Sequence, residues 1–343
     1  MMKSREYWQD RFKELEESRN SFAEKTFSDI SGEYDRVMQE LDRELLEWFR
    51  RYAYENGIGY SEAKKQLTGR ELKAFKADLK TFIARAKETD LPDEWKKKLE
   101  NMYIRMRVSR IEALQFMFQQ HMEELFNMQE GELTSKLKER YTEDYNHTVF
   151  NIQQGAGIGS SFIGVDTNKL DTVLAKPWAD DGKNFSSRIW EHKNNLVTLL
   201  NKELLQAVIR GDDYQTATNN IARKMNVSRA NAGRLVMTEM AFIGTRAQQD
   251  CFTNLGVEEY EFVTTLDRHT SEICREMDGK HFKLSDMKIG TNAPPLHPRC
   301  RSCNAPYFED SDDLARVARG DGGETYKVPA TMTYEQWINL WKQ

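Results

Sequence analysis

The chain has 343 residues, of which 39% are hydrophobic and 31% charged, and its mean hydropathy is −0.76. This length allows about two folded domains, and an aromatic content of 11% excludes a wholly disordered chain. Fifty basic against 55 acidic residues give a net charge of −5, so the field of the whole chain would not recruit nucleic acid or an anionic membrane. No stretch approaches the roughly 18 apolar residues of a membrane helix, and the first residues lack a signal-peptide pattern. We therefore expect a protein made in a cytoplasm, without a membrane partner.

Residues 1–154 are predicted to be helical, because their apolar residues return every third or fourth position. The clearest run consists of Tyr34, Val37, Met38, Leu41, Leu45, Trp48 and Phe49. A second helix is predicted over residues 61–87 with Ser61 as its N-cap, and a third over residues 92–126. Such long amphipathic helices must pack on each other or on a partner.

The composition changes at the glycine-rich stretch that begins with Gly155, and residues 155–184 are predicted to be a flexible hinge. Residues 185–343 form the second predicted domain, with helices, one of them N-capped by Ser228 and closed at Gly256. Alternation over residues 259–266 predicts a strand. The predicted fold class is α+β, mainly α: a long-helix N-terminal region followed by a smaller α+β C-terminal domain.

All four cysteines, Cys251, Cys274, Cys300 and Cys303, lie in the last 100 residues, too few for a secreted disulfide framework. Cys300 and Cys303 have the C-x-x-C spacing of a zinc knuckle, and Cys274 with His297 would complete a tetrahedron. The sequence therefore predicts Cys274, His297, Cys300 and Cys303 as ligands of Zn²⁺ that staple a small irregular fold. The alternative is that buried thiols and a proline-rich turn are stabilised by packing alone.

Several motifs here resemble those of the Mu F-like minor head proteins, the head-morphogenesis family of tailed bacteriophages. They are Met237-Thr238-Glu239, Thr265-Leu266-Asp267-Arg268-His269-Thr270 with Cys274, Asp278-Gly279-Lys280, and Pro294-Pro295-Leu296-His297-Pro298-Arg299-Cys300-Arg301-Ser302. Ser271 and Ser302 stand where family members often have cysteine, and Cys303 lies one residue later than the family pattern. Because a hydroxyl is a poor zinc ligand, a complete site would need Cys303.

The resemblance implies a structural, non-enzymatic minor capsid protein of the virion, located in the capsid interior near the portal and in the host cytoplasm during assembly. Its implied partners are the portal protein, the scaffold and the major capsid protein, with no small-molecule substrate. It would act in head assembly and in handling of the packaged or ejected DNA. The residues themselves agree, since they contain no G-x-S-x-G, H-E-x-x-H or Walker element.

Two other functions stay open at this point. Phage double-stranded DNA could bind a basic patch interleaved with Trp95 and Tyr103. The patch consists of Lys96, Lys97, Lys98, Arg105, Arg107 and Arg110. Such residues are more often a solvated helix face. A hydrolase is the remaining alternative, with Cys274 as the nucleophile and His269 as the base.

Overall fold

The computed structural model of the chain describes residues 3–53, 57–156, 167–308, 316–319 and 325–328. Within these ranges the α-helices are α1 (Arg5–Tyr52), α2 (Tyr60–Lys64), α3 (Gly69–Glu88), α4 (Asp93–Ile104), α5 (Arg110–Ala156), α6 (Thr167–Ala175), α7 (Phe185–Arg210), α8 (Tyr214–Leu255) and α9 (Glu272–Met277). The strands are β1 (Glu259–Val263), β2 (His281–Lys283), β3 (Cys303–Tyr307), β4 (Arg316–Arg319) and β5 (Thr325–Val328). The predicted class, α+β and mainly α, is confirmed.

Two predicted helices are each divided in the structure. The helix predicted over residues 61–87 is wrong, since α2 ends before α3 begins at Gly69. Thr68 starts α3 with a reciprocal capping box: its Oγ1 accepts from Glu71 N at 3.4 Å, and its own N donates to Glu71 Oε2 at 2.7 Å. The helix predicted over residues 92–126 likewise ends at Ile104. The chain then starts α5 at Arg110.

The N-cap predicted at Ser228 is also wrong, because α8 is one continuous helix. The Ser228 hydroxyl lies 3.2 Å from the Tyr34 hydroxyl inside the core. It therefore hydrogen-bonds a buried side chain and does not cap a helix. The predicted end of this helix is confirmed: Gly256 follows Leu255 with a φ of 70°. That left-handed conformation favours glycine.

The chain divides into two compact units. The sheet unit contains Met1–Phe27, Leu133–Phe185 and Gly233–Gln343, and the helical unit contains Ser28–Glu132 and Ser186–Ala232. Each unit thus takes residues from both sides of the predicted hinge, because α1, α5 and α8 contribute to both. Residues 157–166 of that hinge lie outside the described residues, and α6 occupies Thr167–Ala175. The boundaries at 154 and 185 stay a prediction.

The sheet unit is built on a three-stranded antiparallel sheet of order β2-β1-β3. Tyr260 of β1 pairs with Phe282, and its neighbour Glu261 pairs with Ala305. The strand predicted over residues 259–266 is confirmed at β1, whereas the other strands were not predicted. The core on this sheet includes Trp8, Phe12, Leu15, Phe252, Val257, Tyr260, Val263, Ala293, Cys303 and Ala305. Burial of these apolar groups stabilises the unit.

The helical unit has a separate apolar core from α3, α4 and the start of α5. Its buried members are Phe75, Leu79, Phe82, Ala86, Leu91, Trp95, Leu99, Met102, Val108 and Ala113. They recur at helical spacing, which is why these segments fold as amphipathic helices. In the part of the chain that the structure describes, no helix has the length and apolarity needed to cross a membrane.

Candidate metal centre

Three of the predicted metal ligands come together in the sheet unit. Cys274 Sγ lies 3.3 Å from His297 Nε2 and 3.6 Å from Cys300 Sγ, and the ligand atoms of all three residues lie within 4.8 Å of one another. Phe262, Met277 and Leu296 pack around them. The result is a buried group of two thiols and one imidazole with an apolar surround.

Local structure places each of these side chains. Ser271 caps α9, accepting a hydrogen bond from the backbone N of Cys274 at 3.4 Å, which puts the thiol in the first turn of that helix. The turn from His297 to Cys300 closes with a bond from Cys300 N to His297 O of 3.2 Å. Arg299 adopts a φ of 60° in that turn, and its N donates to Thr238 Oγ1 of α8 at 3.2 Å. A helix cap and a tight turn therefore aim three ligands at one point.

The ring of His297 is oriented for metal binding. Its Nδ1 lies 2.9 Å from the carbonyl oxygen of Pro298. A carbonyl oxygen only accepts, so Nδ1 carries a hydrogen, and in the neutral form of the ring Nε2 would be the lone-pair donor for a metal. Metal-ligating histidines commonly use this arrangement, in which the second nitrogen is fixed by a backbone carbonyl.

The electrostatics of the group favour one thiolate. The hydrogen bond from Cys274 holds the pKa of Cys300 well below its ordinary value, although burial opposes this, and His297 adds to the effect. The same hydrogen bond, with burial, raises the pKa of Cys274. The Cys300 thiolate also raises the pKa of His297. Two thiolates side by side would repel, so a cation between them would remove the conflict.

This donor set fits Zn²⁺. Zinc binds thiolate at about 2.3 Å and imidazole at about 2.0–2.1 Å in a tetrahedron, which puts neighbouring ligand atoms roughly 3.3–3.8 Å apart. The distances of 3.3 and 3.6 Å from Cys274 Sγ fall in that range. Cys274, His297 and Cys300 would hold the ion, and its role there would be a structural cross-link between α9 and the proline-rich turn.

Cys303, the fourth predicted ligand, is not part of the convergent group. It lies in β3 opposite Val263 and packs in the core on the sheet. Neighbouring Ser302 and the cap residue Ser271 instead bring hydroxyls to Cys274, where both lower the thiol pKa. A role for Cys303 as a ligand stays a prediction.

A buried ion pair fixes the turn beside the cluster. Arg301, next to Cys300, forms two bonds with Asp267: Nη2 to Oδ1 at 2.9 Å and Nη1 to Oδ2 at 2.6 Å. Although burial opposes it, this pairing lowers the pKa of Asp267. Asp267 Oδ1 also accepts from the backbone N of His269 at 2.8 Å. The Asp267 element of the motif thus has a structural role, since it ties the segment after β1 to the segment that carries His297 and Cys300.

Sequence reasoning missed one charged neighbour. Glu16 of α1 is 6% exposed, and burial raises its pKa to about 8, with Arg19 opposing the shift and the nearby Cys300 thiolate adding to it. Nothing in the sequence near residue 16 indicates a neighbour more than 280 positions away. Only the packing of α1 in the sheet unit brings them together.

Most of the predicted DNA-binding residues have intrachain partners in the helical unit. Lys96 pairs with Asp90 and Asp93, Lys98 with Glu94, Arg105 with Glu112, and Arg110 with Glu62 and Glu71. Trp95 is buried and donates to Gln120 Oε1 at 2.6 Å. Lys97 and Arg107 are exposed. A count of cations along the sequence could not detect these acidic partners.

The residues of the hydrolase alternative differ in accessibility. Cys274 is 1% exposed and Cys300 is 3% exposed, whereas His269 is exposed and its backbone N is used by Asp267. A nucleophile must be reached by its substrate, so buried thiols favour a structural over a catalytic role.

The fold and the cluster define an α+β region, joined to long helices, that carries a buried Cys-His-Cys group compatible with metal binding. The family model described as "Phage Mu protein F like protein" matches residues 198–305, which contain α8, β1–β3 and all three convergent ligands. The resemblance seen in the sequence is confirmed over these residues, and the chain carries a region similar to phage Mu protein F. Comparison with curated proteins and with solved structures gives no match.

Proposed function

We propose that this chain is a minor capsid protein of a tailed bacteriophage, bound near the portal inside the head and acting in head assembly. The observation that carries this proposal is the Mu F-like match over residues 198–305, a region that also folds around the predicted ligand cluster. The family is structural, and the burial of Cys274 and Cys300 supports a structural role for the cluster. The proposed partners are the portal protein, the scaffold and the major capsid protein.

The proposed cofactor is one Zn²⁺ held by Cys274, His297 and Cys300, with the fourth position taken by Cys303 or by water. The ion would cross-link α9 to the turn that follows β2. Support comes from the spacing of the three ligand atoms and from the His297 ring, whose Nδ1 is fixed by a backbone carbonyl.

The test is the composition of heads made by the phage or prophage that encodes the chain. Heads from the wild type and from a strain lacking the gene would be purified, and the chain and the portal protein would be quantified by mass spectrometry. We expect a few copies of the chain per portal ring, cross-links to the portal protein, and defective heads in the deletion strain. Absence of the chain from purified heads at every stage of assembly would overturn the proposal.

The contribution of the cluster can be separated from that of the chain. Complementation with Cys300→Ala should fail to restore normal heads if the staple is needed, whereas Lys97→Ala, a change at an exposed lysine, should restore them. If both variants restore normal heads equally, the cluster is not needed for head assembly. The proposed location of the chain in the head would still stand.

A further inference from the structure

Basic side chains recur at helical spacing along the exposed side of α3, in the helical unit. We call this set the basic stripe, and it consists of Arg70, Lys73, Lys76, Lys80 and Lys87. Residues three, four and seven apart lie on one side of a helix. Phe75, Leu79 and Phe82 occupy the other side and are buried in the core. Packing therefore fixes the direction in which the stripe faces, which is away from the core.

The basic stripe is not neutralised within its own unit. Among the residues that the structure describes, no ion pair is found for any of its members, in contrast to Lys96, Lys98, Arg105 and Arg110. Of the acids of α3, Glu71 caps the helix and pairs with Arg110, whereas Asp78 and Glu88 are exposed and form no ion pair with the stripe among the described residues. A set of cations on one helix face without acidic partners creates a local positive field, although the chain carries a net charge of −5.

The loop between α4 and α5 extends this surface. Lys76 Nζ lies 3.6 Å from Met106 Sδ, and the Nζ atoms of Lys76 and Lys80 lie 5.7 and 5.8 Å from the centre of the Tyr103 ring. Arg107, in the same loop, is exposed. The end of α4 thus adds an aromatic ring beside the middle of the stripe, and the loop that follows adds a further cation.

The dimensions of the stripe match a polyanion with regular charges. From Arg70 to Lys87 the helix rises about 26 Å. One strand of duplex DNA presents a phosphate about every 3.4 Å along its axis, so the stripe can follow several successive phosphates. Exposed Ala77 and Ala84 lie between the cations, and their short side chains let a backbone approach closely.

We propose that the basic stripe is a binding site for the phosphate backbone of double-stranded DNA. The five cations of the stripe are not in the patch predicted at residues 96–110, although Tyr103 brings the two surfaces together. The site deepens the proposed role in the head, where the partner would be the packaged genome. An acidic protein surface is the competing partner. The cations recur along one side of the helix, and this repetition favours the evenly spaced phosphates of DNA as the partner.

The test compares two variants of the full chain with equal charge change. The stripe variant is Lys73→Gln, Lys80→Gln, Lys87→Gln, and the matched control is Lys96→Gln, Lys98→Gln, Arg105→Gln. Binding of a fluorescent 30-base-pair duplex would be measured by anisotropy from about 50 to 200 mM salt, the range in which backbone contacts lose most of their affinity. Thermal melting would confirm that both variants remain folded, since the substituted side chains lie outside the core.

We expect the wild type to bind duplexes of unrelated sequence equally, with affinity falling as salt rises. The stripe variant should lose about 10- to 100-fold in affinity, and its slope of log K against log salt should fall by about 3, whereas the control should change less than about threefold. Absence of salt-dependent binding by the wild type, or equal losses in both variants, would overturn the inference. Neither result would contradict the proposed location of the chain in the head, because that location is measured separately in purified heads. A stripe variant that loses head incorporation while the wild type binds no duplex would identify an acidic protein as the partner instead.

Discussion

The sheet unit and the helical unit use charged and metal-binding side chains in opposite ways. In the sheet unit these groups face inward: Cys274 and Cys300 are buried, and Asp144 is 0% exposed between two arginines. In the helical unit, α3 turns its cations outward and keeps an apolar core behind them. Charged side chains thus form internal cross-links around Asp144, whereas along α3 they form an outward-facing stripe that we propose as a binding surface.

The largest effect is expected from breaking the inward-facing charges. Asp144 accepts from Arg19 Nε at 2.8 Å and from Arg140 Nε at 2.9 Å. Asp144→Ala would leave both guanidinium groups buried without their carboxylate, so we expect a loss of about 3–5 kcal/mol in the free energy of unfolding of the sheet unit. Urea unfolding followed by circular dichroism would measure it.

The control for this variant lies on the same helix. Glu139 pairs with Lys136 at 2.9 Å, but both side chains are partly exposed. Glu139→Ala should cost about 0–1 kcal/mol. If Asp144→Ala and Glu139→Ala lower the free energy of unfolding by similar amounts, the buried pairs of Asp144 stabilise the unit no more than an exposed pair does.

An inward-facing histidine gives the helical unit a pH dependence. His121 lies between Glu40, at 3.0 Å from Nδ1, and Glu44, at 2.8 Å from Nε2. Although burial disfavours its charge, these hydrogen bonds raise the pKa of His121 to about 9 from 6.5. The stabilisation is therefore complete below pH 6.5 and is lost as the pH rises through 9.

At about 1.4 kcal/mol per pKa unit, we expect up to about 3 kcal/mol to be lost between pH 6 and pH 10. Hydrogen exchange of peptides covering residues 111–126 would measure this loss. In His121→Gln the excess loss should vanish, because no imidazolium remains. A variant with the same pH profile as the wild type would contradict the assignment.

A smaller effect distinguishes two glycines. A Cβ on Gly244 would overlap Arg19 Nε and Asp144 Oδ2, whereas a Cβ on Gly131 meets nothing within 4 Å. We expect Gly244→Ala to destabilise by about 1–3 kcal/mol through overpacking. Gly131→Ala, in an exposed helix interior, should stabilise by about 0.5–1 kcal/mol. Melting temperatures that move in the same direction for both variants would refute this contrast.

Local signals predicted part of this fold, and tertiary pairing decided the rest. The Gly256 end of α8 follows from a glycine cap, a signal that acts over a few residues. β2 has three residues and gains its definition only by pairing with β1. Such short strands carry no alternation that a sequence could reveal.

The candidate site shows the same limit. The C-x-x-C spacing suggested that Cys300 and Cys303 act together, but Cys303 lies in a strand that packs on the sheet core. Cys274 and His297 could be assigned because motif spacing brings them near Cys300 in a compact segment. Glu62 and Glu71 neutralise Arg110 because helix packing brings them together. A count of charges along the sequence cannot reveal such pairs.

The most direct test is whether zinc stabilises the sheet unit and leaves the helical unit unchanged. Purified chain would be assayed for zinc by elemental analysis, and hydrogen exchange would be followed by mass spectrometry with and without a chelator. The account predicts about one zinc per chain, and faster exchange after chelation in residues 259–307 but not in residues 69–126. Cys274→Ser should show the fast exchange without any chelator. No bound zinc, with identical exchange in both conditions, would contradict the staple and leave packing as the source of the structure.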